Sequence, residues 1–132
     1  MNGKILVVDD EESIRYTFDF FLSEEGYSVT CAGDFDAAAA HMKETDFDLI
    51  YVDVVLDGRS GVDLLKTARD IDANVPVIMI TGMPSVETAA DSLRQGAIDY
   101  ITKPICQETL LHSAKAAIRH KALLEEKEAC RL

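Results

Sequence analysis

Four short stretches, KILVVD, DLIYVDVV, VPVIMIT and AIDYITKP, are apolar almost residue for residue, and this pattern narrows the fold more than any other feature. An antiparallel strand with one wet face alternates apolar and polar positions, whereas a near-continuous run of this length fits a parallel strand covered on both faces. YSVTCAG makes a weaker fifth run. Between the runs lie amphipathic segments: Ile14, Phe18, Phe21 and Leu22 fall on one helical face, and Val86, Ala89, Ala90 and Leu93 on another. Ser60 in SGVD, with Asp63 three residues on, and Ser85 in MPSVE read as helix caps, while Gly26 and Gly96 read as helix ends. Strand and helix therefore alternate five times. The expected fold class is α/β: a single doubly wound five-stranded parallel sheet flanked by five helices, with any ligand site at the carboxyl ends of the strands.

A chain of 132 residues fits one domain with a single hydrophobic core. Its last segment, ETLLHSAKAAIRHKALLEEKEACRL, has no Gly or Pro and reads as an extended C-terminal helix from about Glu108, longer than one covering helix needs. The domain is placed at residues 1–120, and residues 121–132 read as a solvated helical extension or a linker toward an output domain. The net charge of −11, from 24 acids against 13 bases, argues against direct nucleic-acid binding and for a metal or a cationic partner. Cys31, Cys106 and Cys130 are odd in number and far apart, which fits a reducing cytoplasm better than a disulfide framework. MNGKILVV lacks a signal-peptide core, and no run approaches 18 apolar residues, so a soluble protein away from the membrane is expected. His41, His112 and His120 sit on helical stretches without metal-ligand spacing.

With the strands side by side, their carboxyl ends carry Asp9 and Asp10, Asp53, Thr81, and Lys103 with Pro104. An acid at a strand end is often only a solvated turn or a helix cap, and for Asp9, Glu11 or Glu12 alone that reading would win. Asp53 differs, because it interrupts the apolar LIYV and VVL, where a charge is costly unless paired. Three carboxylates in one crevice form a hard oxygen cage suited to Mg²⁺, and the cation would offset their repulsion. Lys103 adds a positive charge and Thr81 a hydroxyl, the parts that stabilise the equatorial oxygens of a transferred phosphoryl group.

These residues closely resemble the receiver domain of two-component response regulators, the CheY-like, flavodoxin-like fold. The resemblance covers about Lys4 to Ile118 and rests on VVDDEES, DLIYVDVVLDGRSG and IMITGMPSVETAADSLRQGAIDYITKP, the last most like receivers of NtrC-like regulators. It implies that Asp53 accepts a phosphoryl group from a phosphohistidine on a sensor histidine kinase. Asp10, Asp53 and the backbone carbonyl of Val55 would ligate Mg²⁺, with Asp9 acting through water. Lys103 and Thr81 would contact phosphoryl oxygens, Gly82 would leave space and offer an N–H, and the Lys103–Pro104 peptide would be cis. Thr81 and Tyr100 would act as the switch, reshaping the surface of the fourth helix, fifth strand and fifth helix, through which a homodimer can form. The protein would assist its own phosphorylation and slow dephosphorylation, and its output is expected to be control of transcription.

Two positions depart from the family pattern. Asp57 stands where the family often has proline, which is expected to loosen that loop, and Val55 and Met83 are apolar at positions that influence attack by water, which predicts a long-lived phosphorylated state. A pseudo-receiver that is not phosphorylated, or the receiver of a hybrid sensor kinase, are the alternative readings. An FMN site would need a phosphate-accepting loop where DDEES would repel one, and an aspartyl phosphohydrolase would need an acid where Val55 stands.

Overall fold

A computed structural model describes residues 3–130. The element order is β1 (Lys4–Val8), α1 (Glu12–Glu24), β2 (Ser28–Ala32), α2 (Phe35–Glu44), β3 (Leu49–Asp53), α3 (Gly61–Ile71), β4 (Val77–Thr81), α4 (Val86–Arg94), β5 (Asp99–Thr102) and α5 (Gln107–Cys130). All five strands pair in parallel in the order β2-β1-β3-β4-β5, so the strand order reverses beside β1 and opens a crevice between the ends of β1 and β3.

The two faces of the sheet explain why the runs are continuously apolar. Ile5, Val7, Leu49, Tyr51, Ile78 and Ile80 pack with Phe18 and Leu22 of α1 and Leu110, Ala114 and Ala117 of α5. The intervening Leu6, Val8, Ile50, Val52, Val77 and Met79 pack with Ala38 and Met42 of α2 and Leu64, Leu65 and Ala68 of α3. The three central strands β1, β3 and β4 thus bury both parities, at roughly 25 cal/mol per Å² of apolar surface, while the edge strands β2 and β5 are only partly buried. Tyr51 is the one fully buried aromatic hydroxyl in this layer, and its oxygen meets Ser113 Oγ at 2.7 Å.

The caps follow the sequence. Ser85 Oγ accepts the Thr88 N–H at 3.1 Å, and Ser60 Oγ accepts that of Val62 at 3.1 Å rather than reaching Asp63. Paired backbone bonds close α1 at Gly26 (Gly26 N–H to Ser23 O, Tyr27 N–H to Leu22 O) and α4 at Gly96 (Gly96 N–H to Leu93 O, Ala97 N–H to Ser92 O).

One feature differs from expectation. After β3 the chain makes a two-stranded antiparallel ribbon, Val55–Leu56 against Arg59–Ser60. Its turn residues, Asp57 (φ 46) and Gly58 (φ 84), both have positive φ, as a type I′ hairpin demands, so this segment is a tight turn and not a loosened loop. The extended C-terminal helix is present as α5, whose 24 residues run unbroken from Gln107 to Cys130. Lys121 is 6% exposed, its Nζ donating to Phe47 O at 3.0 Å and to Asp48 Oδ1 at 3.3 Å, and Asn74 Nδ2 donates to Glu128 Oε1 at 2.9 Å. The helix therefore stays docked on the domain past residue 120. No helix among the described residues is long and apolar enough to cross a membrane.

Candidate functional site

Asp9 leaves β1 with its backbone held from both sides: its N–H donates to Ala32 O at 3.1 Å, and Arg15 Nη1 donates to its carbonyl at 2.7 Å. Its side chain is wholly buried, and Oδ1 accepts the Glu11 N–H at 2.9 Å. Asp10 faces solvent, with Oδ2 accepting the Asp57 N–H at 3.2 Å. Asp53 ends β3 on the parity of Leu49 and Tyr51 and is 6% exposed, and its Oδ1 accepts the Val55 N–H at 3.2 Å.

Lys103 arrives from the far side of the crevice. Its N–H donates to Thr81 O at 2.7 Å, tying the ends of β5 and β4, and the Lys103–Pro104 peptide is cis. Its Nζ stands 2.7 Å from Asp9 Oδ2, 2.9 Å from Asp53 Oδ2 and 3.2 Å from Glu11 Oε1. Thr81 is buried with its Oγ1 accepting the Met83 N–H at 3.0 Å, and a Cβ on Gly82 would meet only Lys103 Cδ, at 4.0 Å, so the wall beside the lysine is open.

Carboxylate oxygens of Asp9, Asp10, Glu11 and Asp53 lie within 4.8 Å of one another. Four carboxylates against the single ammonium of Lys103 leave a formal deficit of three positive charges, and each like pair at ~4 Å costs roughly 4 kcal/mol at the effective dielectric of a protein surface. Burial raises the Asp9 carboxyl above its ordinary value; hydrogen bonds from Lys103 and the Glu11 amide lower it, and the charge of Asp53 pushes the same way as burial. Burial alone would depress the Lys103 ammonium, but the hydrogen bonds and charges of Asp9 and Asp53 outweigh it and hold the group above its ordinary value. The donor set is all oxygen with no His or Cys, which suits Mg²⁺, a hard cation that keeps part of its water shell.

Three contributors to the site were hidden in the sequence. Glu11 reads as a cap residue, yet its carboxylate makes no capping bond and instead contacts Lys103. Gly61 lies so close to β3 that a Cβ would overlap the Asp53 carbonyl oxygen, and its N–H donates to Val54 O at 2.6 Å. A glycine directly after a capping serine gives no advance sign of that close approach. Arg15 gives no sequence signal at all. His41, His112 and His120 join no cluster of metal-ligating side chains among the described residues.

The model of the response regulator receiver domain matches residues 5–115, and the chain belongs to that family. It is 35% identical over 127 residues to the alginate biosynthesis transcriptional regulatory protein AlgB of Pseudomonas aeruginosa, covering 96% of this chain and 28% of AlgB. Among solved structures it superposes on NtrX of Brucella abortus in complex with ADP with a TM-score of 0.94 at 36% identity, covering 100% of this chain and 30% of NtrX. It also matches a response regulator of Burkholderia pseudomallei, solved with a phosphorylated aspartic acid and a calcium ion, with a TM-score of 0.80 at 29% identity, covering 97% of this chain and 74% of that one. The chain thus spans about a third or less of AlgB and NtrX. It is a receiver domain of two-component response regulators, a signalling switch whose family works by phosphorylation with Mg²⁺.

Proposed function

We propose that Asp53 is the phosphoacceptor of this receiver and that a sensor histidine kinase supplies the phosphoryl group. The observation that carries the reading is the pairing of Asp53 Oδ2 with Lys103 Nζ at 2.9 Å in a crevice whose Gly82 wall is open. A carboxylate oxygen of Asp53 attacks phosphorus, a P–O bond forms, and the P–N bond of the phosphohistidine breaks with its electron pair returning to the imidazole nitrogen. Asp53 is held for in-line attack by the Val55 amide on Oδ1 and by Gly61 packed against its carbonyl. Lys103 follows the charge from the carboxylate to a phosphoryl oxygen, kept protonated by Asp9. Asp10, Asp53 and the Val55 carbonyl would hold Mg²⁺, with Asp9 through water, and the bound cation would neutralise charge developing on the transferred group.

Thr81 would turn from the Met83 amide toward the phosphoryl group. The hydroxyl of Tyr100 meets Thr88 Oγ1 at 2.7 Å and accepts the Ser85 N–H at 3.4 Å, so a movement of Thr81 bears on a ring already joined to the first turn of α4. The exposed Val86, Leu93 and Ile98 of the α4–β5 region offer a surface for a homodimer or for an output domain, which we place after a receiver of residues 1–120 and an extension of residues 121–132, of which the last two lie outside the described residues. By analogy with AlgB, a transcriptional regulatory protein, the output is control of transcription, and we place the chain in the cytoplasm. Incubation with acetyl phosphate and Mg²⁺ should add the mass of one phosphoryl group to the chain and none to Asp53→Asn. An unchanged mass for the parent would leave a pseudo-receiver instead.

A further inference from the structure

We propose that the backbone N–H of Asp57 is a positioning donor for Asp10, and that the hairpin presenting it sets how tightly the acid crevice holds a divalent cation. The inference rests on the reading of the crevice as a Mg²⁺-dependent phosphoacceptor site.

Asp10 is exposed and sits among three other carboxylates, so repulsion drives its side chain outward into water. Among the described residues the one hydrogen bond its carboxylate accepts is from Asp57 N–H, at 3.2 Å to Oδ2. A neutral amide aimed at a carboxylate makes a charge-assisted bond that opposes the outward drive without adding a countercharge. Placing that amide requires the Asp57 and Gly58 φ values of 46 and 84, which the Val55↔Ser60 and Leu56↔Arg59 pairing fixes. The ribbon is itself anchored: the Arg59 guanidinium lies 3.8 Å over the Phe35 ring, its Nη1 is 3.2 Å from Asp36 Oδ1, and Gly61 is bonded back to Val54. The proline that the receiver pattern leads one to expect at position 57 has φ fixed near −65° and no N–H. It could neither adopt this turn nor donate to Asp10. The departure in sequence is therefore what creates the donor.

The experiment is calorimetric titration of the whole chain with MgCl₂, without phosphodonor, together with hydrogen exchange of the Asp57 amide measured by NMR in metal-free buffer. Asp57→Asn, which keeps the N–H and tolerates positive φ, should bind Mg²⁺ within about threefold of the parent, the loss of one nearby exposed charge. Asp57→Pro should bind roughly tenfold more weakly, the scale of one partly solvated hydrogen bond to a charged group. Arg59→Ala should fall between them, and Asp10→Ala should speed exchange at the Asp57 amide while leaving that of Val54 unchanged. Parent-like Mg²⁺ affinity in a folded Asp57→Pro would overturn the proposal. Should that variant not fold, an Asp57 amide indifferent to Asp10→Ala, or parent-like affinity in Arg59→Ala, overturns it equally. A parent that binds no Mg²⁺ defeats the phosphoacceptor reading and the cation half of this one, whereas the exchange result, taken without metal, decides the hydrogen bond by itself.

Discussion

Replacing Lys103 by Met removes the one ammonium from the acid crevice while keeping most of the side-chain volume. Its Nζ contacts two carboxylates that are nearly or wholly buried, Asp9 at 2.7 Å and Asp53 at 2.9 Å. Stripping the partner from a buried ion pair costs ~3–5 kcal/mol, and because Glu11 and Asp10 open the crevice to water the lower end applies, about 3 kcal/mol. At about 2.1 cal/mol/K of unfolding entropy per residue, that is a fall in Tm of roughly 10 °C. Thermal unfolding followed by circular dichroism in EDTA measures it directly.

The pH dependence has a definite sign. In the parent, Lys103 is held above its ordinary value, so its contribution is full below the unfolded-state value of 10.5 and is lost only as pH rises through the higher folded one. In the variant, Asp9 loses the partner that was holding its carboxyl down, and burial raises it further above 3.8. The native state then holds more protons than the unfolded one, so the variant regains stability as pH falls through that raised value toward 3.8. The gap between parent and variant should therefore be widest near neutrality and narrow in acid. Mg²⁺ should raise the Tm of the variant as well, since a cation can replace the lost charge. A variant as stable as the parent in EDTA at neutral pH would refute the charge accounting of the crevice.

Gly61→Ala should lose ~2–4 kcal/mol by denaturant titration and slow phosphorylation by acetyl phosphate, because the added methyl displaces the carbonyl of Asp53. Val55 and Met83, 58% and 87% exposed, carry no group that can orient water at Asp53, the proposed phosphoacceptor; the double variant Val55→Asn, Met83→Glu should shorten the phosphorylated lifetime by about tenfold or more, followed by intact mass. The exposed Cys106 thiol is lowered by its hydrogen bond with Thr109, while burial, and then the charge of Asp19, raise that of Cys31. At pH 7.5 iodoacetamide should therefore label Cys106 well before Cys31, read by peptide mapping.

The central strands β1, β3 and β4 were legible because parallel strands buried on both faces have no polar parity to hide the pattern. Asp53 was legible for the same reason, as a charge breaking an apolar run. Glu11 was not, since a carboxylate opening a helix has an adequate local explanation and only the fold brings Lys103 across to it. The hairpin at Asp57 carried its Asp-Gly signal in plain view, but with two residues on each side there is no alternation from which to read strands. Lys121 looked like part of a solvated face, because a lysine closing the basic run Arg119-His120-Lys121 gives no hint that Phe47 and Asp48 wait beneath it.

Helix α5 begins four residues after Lys103 and stays bonded through Lys121 and Glu128 to the loops that enter β3 and β4. At about 1.5 Å per residue it is a strut some 36 Å long, braced at the rim opposite the acid crevice. A tilt begun at its first turn must either swing the far end or tear out the Lys121 brace, so local chemistry at one rim is readable as leverage at the other.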